Sequence, residues 1–132
     1  MKGLSFAFLA AGALSVVVGM IWGIQMSATH DHSLAPAHAH LNLLGWVSFA
    51  IFGFYYHLQP KAAQGLLPKI HFATALTGLA VLVPGIALAI QNRGATLAKA
   101  GSVLCLLSMC LFVWILAANA FQKTARRDAS LA

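Results

Sequence analysis

The chemistry open to this chain rests on its six histidines, because only two carboxylates stand beside them. Two of the six, His38 and His40, open an apolar run. Residues 36–57 read Pro-Ala-His-Ala-His-Leu-Asn-Leu-Leu-Gly-Trp-Val-Ser-Phe-Ala-Ile-Phe-Gly-Phe-Tyr-Tyr-His. An imidazole placed in hydrocarbon costs free energy unless something binds it. With carboxylates so scarce, the partners left are a metal ion, a haem iron or a backbone carbonyl. Two positions along a helix is a rotation of about 200°. His38 and His40 therefore point to opposite faces, which suits two separate ligations better than one shared ion. His40 lies further into the run and is expected to be the deeper of the two.

The remaining histidines offer less defined chemistry. His30-Asp31-His32 has the alternation of a surface copper or zinc site, and equally that of a solvated polar loop. His57 and His71 are expected to face each other across a turn, either as interface anchors or as a second metal or haem site. Asn42 either orients a histidine ring or bonds to a neighbouring helix. Cys105 and Cys110 lack a C-x-x-C spacing and fall on different faces of one helix, so they read as packed, reduced thiols. Without C-x-x-C-H, covalent attachment of a c-type haem is excluded. No carboxylate lies inside an apolar run, which argues against a carboxylate proton relay. Neither a hydrolytic Ser/His/Asp or Cys/His set nor a phosphate-binding loop can be assembled, and no catalytic residue is assigned.

The elements that must position these residues follow from composition. The chain is 61% hydrophobic and 8% charged, where soluble domains are about half apolar and a quarter charged. The apolar residues come in long runs, so the expected class is an all-α membrane protein, a single domain of four transmembrane helices at residues 4–26, 37–58, 69–91 and 97–121. The first run, Leu4 to Met26, is longer than the roughly 7–15 residues of a signal-peptide core and is read as an uncleaved first helix. Pro36 suits the first turn of helix two, and Pro60 ends it. Pro68 precedes helix three, Pro84-Gly85 is expected to kink it, and Asn92-Arg93-Gly94 separates it from helix four. Ala11, Ser15, Gly19 and Gly23 form a stripe of small residues for close packing within a bundle or between copies. Trp22, Trp46, Trp114, Tyr55 and Tyr56 suit an interface belt or the bundle core.

Basic residues set the orientation. The first loop has none, the second holds Lys61 and Lys69, and the tail holds Lys123, Arg126 and Arg127; Arg93 and Lys99 run against the trend. The balance places both termini in the cytoplasm of a bacterial-type inner membrane. His38 and His40 then lie just inside the outer leaflet, with His57 roughly 25 Å below His40 at 1.5 Å per residue. The net charge of +6 is scattered at the ends of apolar runs. It forms no basic face interleaved with aromatics, which argues against a nucleic-acid partner.

One stretch has a wider likeness. His40-Leu-Asn42-Leu-Leu-Gly-Trp46, followed by Phe52-Gly-Phe-Tyr-Tyr56 and Pro60, resembles the second helix of the nitric oxide reductase large subunit, within the haem–copper oxidase superfamily. In that family the histidine at the position of His40 is an axial ligand of the low-spin haem b. The doubled His38-Ala-His40 also looks like the family's tenth helix, where two histidines serve two haems on opposite faces. The family's catalytic subunit has twelve helices in three pseudo-equivalent groups of four, and this chain resembles one such group. The copper-site motif, a histidine followed by Pro-Glu-Val-Tyr or its relatives, is absent, as is the adjacent histidine pair that completes the copper site.

What the resemblance implies is a membrane-embedded b-type haem protein for electron transfer, oxidoreductase in class if it is an enzyme. Three copies would form a homotrimer with haem between neighbours, held by His40 of one and His38 of the next. Two other readings stand beside it. One is a copper or zinc protein of the outer leaflet using His30, His32, His38 and His40. The other is an accessory or assembly bundle whose histidines only form hydrogen bonds.

Overall fold

A computed structural model describes residues 2–131, with side chains to residue 121. Lys123, Arg126 and Arg127, which carry part of the orientation argument, have side chains outside the described residues. The described residues form four long helices and no strand: α1 Leu4–Thr29, α2 Ala35–Leu58, α3 Leu67–Ile90 and α4 Thr96–Leu131. Each includes a segment long and apolar enough to cross a membrane. The first three coincide with the expected spans to within a few residues, and α4 starts as expected but runs on to Leu131, past the expected end at residue 121.

The helix ends follow local chemistry. α1 stops where His30 adopts a left-handed conformation, φ 56°. Pro36 lies in the first turn of α2 and Pro68 in the first turn of α3, where a missing N–H costs nothing. At the end of α3, Asn92 is left-handed, φ 59°. Its N–H donates to the Ala89 carbonyl at 3.1 Å, and the next N–H, of Arg93, donates to the Leu88 carbonyl at 2.9 Å. These two bonds make a Schellman end that satisfies carbonyls the helix would leave orphaned. α3 remains helical through Pro84.

Helices with apolar surroundings gain little from burying more apolar surface against each other, so close backbone approach matters most. α3 and α4 come close at Gly85 and Gly101. A methyl group at Gly101 would lie 2.5 Å from the Leu82 Cα, and one at Gly85 2.6 Å from the Leu97 carbonyl carbon. α1 meets α2 through its small-residue stripe: a methyl group at Gly45 would lie 2.7 Å from the Ser15 Cβ. The stripe is thus spent inside the chain, between two of its own helices. The α1–α2 and α3–α4 pairs join through an aromatic cluster of Phe8, Phe49, Phe52, Tyr56 and Phe112. Phe52 and Phe112 rings are 4.5 Å apart across α2 and α4. Outward faces carry large apolar side chains such as Leu14, Ile21, Ile24, Phe54 and Leu106.

α2 departs from regular geometry. Between the α-helical segments Ala35–His40 and Phe49–Leu58, residues Leu41–Ser48 form a π-helix. The wider turn loosens the backbone ladder, and side chains take up carbonyls along it. Ser48 Oγ donates to the Leu43 carbonyl at 3.1 Å. Asn42 Nδ2 donates to the His38 carbonyl at 2.9 Å. π-helical turns are uncommon and concentrate at functional positions.

Candidate functional site

His40 is exposed on the outer face of α2. Its Nδ1 lies 2.7 Å from the Pro36 carbonyl oxygen. A carbonyl only accepts, so Nδ1 carries the proton and donates. The tautomer is thereby set: Nε2 holds a lone pair, and no described residue engages it. Pro36 has a role here besides starting the helix, since its carbonyl anchors the ring one turn along.

His38 is half-buried, and its ring leans into the α1–α2 interface. Trp22 meets it edge-on with centroids 6.1 Å apart. A methyl group at Gly23 would approach the His38 Cε1 to 3.2 Å, so the bare glycine gives the ring its room. Asn42 Nδ2 lies 3.3 Å from Nε2 and 3.5 Å from Nδ1. An atom nearly equidistant from both nitrogens is on the lone-pair axis of neither, so the amide leaves both in-plane positions of the ring unclaimed. Beside the ring lies an open cavity of about 420 Å³ lined by Met20, Gly23, Ile24, Ser27, His38 and Asn42. Its walls are mainly apolar, with the imidazole and amide set into one side.

Enclosure does not follow position along the run: His38 is the more enclosed and His40 the more exposed. Distance along a helix measures depth in a membrane. Rotation about the helix decides enclosure, and α2 turns His38 toward α1.

The remaining histidines separate. His30 and His32 are exposed at the corner between α1 and α2. The Asp31 carboxylate accepts the Ser33 N–H at 2.9 Å, so it is used in building the turn. That N–H, with the Ser33 hydroxyl, holds the Asp31 carboxyl below the usual carboxylate range. Among the described residues, no three His, Cys, Asp or Glu side chains converge as a metal site within one chain. Cys105 is half-buried and Cys110 exposed, both as free thiols.

His57 and His71 do not pair. His57 points outward, and the neighbour of His71 is Tyr56, one residue earlier and so turned by about 100° around α2. The Tyr56 hydroxyl lies 2.9 Å from the His71 Nδ1. His71 is fully buried, and its Nε2 has no hydrogen-bond partner. Phe52, Phe8 and Phe112 surround it with ring centroids at 4.6, 5.0 and 5.5 Å. No other acceptor is in reach of the Tyr56 proton, so the phenol donates to Nδ1 and the Nε2–H faces aromatic rings. Sequence reasoning placed His71 across the turn from His57, as an interface anchor or part of a second metal or haem site, on its position near the helix end. The signal that pointed inward was Phe8, Phe52 and Phe112, apolar rings with no assigned partner.

Set against protein-family models, curated proteins and solved structures, the chain matches none of them.

Proposed function

We propose that this chain is a multi-pass membrane protein that binds haem b and transfers electrons, with each haem held between copies by His40 of one and His38 of the next. The observation that carries the reading is the 2.7 Å bond from His40 Nδ1 to the Pro36 carbonyl. Metal-binding histidines commonly donate their other ring N–H to a carbonyl or carboxylate, which orients the ring and raises its basicity. Here the bond leaves a lone pair presented from the outer surface of a helix apolar enough to lie in a membrane, where no other described residue meets it.

The donor set fits the group. Two neutral imidazoles, each with a nitrogen unclaimed in the ring plane, are the ligands of a six-coordinate low-spin haem, and such a haem exchanges single electrons. The cavity beside His38 has the apolar walls that a macrocycle edge requires. Opposed ring directions make one chain contribute to two sites, which favours a closed ring of copies over a monomer. The sequence likeness to one third of a haem–copper oxidase subunit supports three copies. Both termini lie in the cytoplasm of an inner membrane on this reading, and no gas-reducing metal pair is part of it.

Visible spectra of detergent-purified protein, oxidised and reduced, with an alkaline pyridine haemochrome and native mass, test the reading. A b-type spectrum and a trimer mass are expected, with the spectrum lost in His40→Ala. Protein without a Soret band overturns the haem assignment, and a monomer that retains haem overturns the shared site. Elemental analysis that finds copper or zinc instead moves the imidazoles to the metal-binding alternative.

A further inference from the structure

We infer that Asn42 is a positioning residue that fixes the ring plane of His38, and that Gly19 exists to admit it. The inference deepens the function proposed above, since it rests on His38 being a ligand for its consequence, though its geometry belongs to the chain alone. Three observations carry it. Asn42 Nδ2 is tied to the His38 carbonyl at 2.9 Å, so the amide is anchored to the backbone of the residue it serves. The same nitrogen lies within 3.3–3.5 Å of both ring nitrogens and in line with neither, so it braces the imidazole and leaves the in-plane position of each nitrogen clear. A methyl group at residue 19 would overlap the Asn42 Oδ1 and lie 2.6 Å from Nδ2. Any side chain there displaces the amide.

Gly23 completes the arrangement one turn along α1, with its missing methyl group opposite the His38 Cε1. Trp22 closes the ring edge. Rotation of the imidazole is thus limited by Asn42, Trp22 and the backbone at residue 23. The π-helical segment begins just after His40, with Asn42 as its second residue. A ring held in this way would present one ligand plane to a bound haem, and that orientation would influence the magnetic anisotropy of a low-spin iron and, more weakly, its potential.

The test compares the parent with Asn42→Ala, Gly19→Ala and the double variant, each with isotope-labelled histidine in bilayers. In cofactor-free protein, the His38 ring signals are expected to shift and split in both single variants, with His40 signals unmoved. The double variant should look like either single one, because both remove one contact. In haem-loaded protein, Asn42→Ala is expected to change the low-spin electron paramagnetic resonance g values and the midpoint potential while the Soret band persists. Asn42→Gln, one methylene longer against Gly19, is expected not to rescue. Unmoved His38 signals in the cofactor-free variants, or an unmoved resonance spectrum in the loaded one, overturn the inference. A parent without a Soret band overturns the haem reading instead, and the cofactor-free comparison still decides the role of Asn42.

Discussion

The Tyr56 hydroxyl and the His71 Nδ1 are 2.9 Å apart in the aromatic core, and the other nitrogen of that imidazole has no hydrogen-bond partner. A buried polar group without a partner costs about 1–3 kcal/mol. Tyr56→Phe strips His71 of its one hydrogen bond and should destabilise the fold by about that amount. Tyr56→Phe combined with His71→Phe removes the polar groups together and should recover part of the loss. Thermal unfolding of the three proteins in one detergent checks both, and an unchanged midpoint in Tyr56→Phe would show that the bond contributes nothing.

Backbone contact between α3 and α4 leaves no room at Gly85 and Gly101. Gly101→Ala forces a methyl group against the Leu82 backbone and should cost at least the ~1–3 kcal/mol typical of overpacking. Gly94→Ala, in the open turn with nothing near it, meets only the strain of its φ of 99° and should cost less. The ratio of the two losses, read by unfolding in detergent, tests whether packing or turn geometry holds this hairpin.

A histidine panel separates the haem reading from non-specific loading. His30→Ala, His32→Ala and His57→Ala remove exposed rings away from the His38 cavity. They should leave the b-type spectrum at parental intensity. His40→Ala should abolish it, as should His38→Ala. Loss of the spectrum in His57→Ala would move the site to the other end of α2.

Asp31 gives a pH dependence of defined sign. Its carboxylate is held below the ordinary range chiefly by the Ser33 N–H. The bond favours the charged form, so the corner is fully braced above the ordinary carboxylate range and loses this support as pH falls through the lowered value. A carbon-detected titration should place the Asp31 midpoint below that of the unfolded chain. Ser33→Pro, which removes the N–H, should raise it.

Reporter fusions test the orientation. Alkaline phosphatase inserted after His32 should be active, and the same enzyme fused after Ala132 inactive. The opposite pattern would invert the proposed topology and place His38 and His40 at the cytoplasmic side.

The helices were legible because hydropathy runs, prolines and the Asn92-Arg93-Gly94 break are local signals that tertiary contacts do not override. The small-residue stripe was legible for the same reason, but its partner was not. Ser15, Gly19 and Gly23 oppose Gly45, Asn42 and His38, and no periodicity names the facing helix. The His71 environment was hidden because burial of one imidazole is decided by three other helices. His57 and Tyr56 are neighbours in sequence, and only the rotation of α2 chooses between them. The π-helical stretch was not legible, since Asn42, Gly45 and Ser48 lower helix propensity without saying which irregularity results.

That stretch, Leu41–Ser48, gives the rod slack that an even coil would lack. A π turn holds roughly one residue more than an α turn. Deleting one residue from it would let the coil tighten to a regular α-helix while the segments on either side keep nearly their present facing, because the wider turn is where the extra residue is absorbed. The regular Phe49–Leu58 segment has no such slack, and a deletion there would turn everything on its N-terminal side by about 100°. His38 and His40 would then face other neighbours, so the π turn is where this rod tolerates a change of length without re-aiming those two rings.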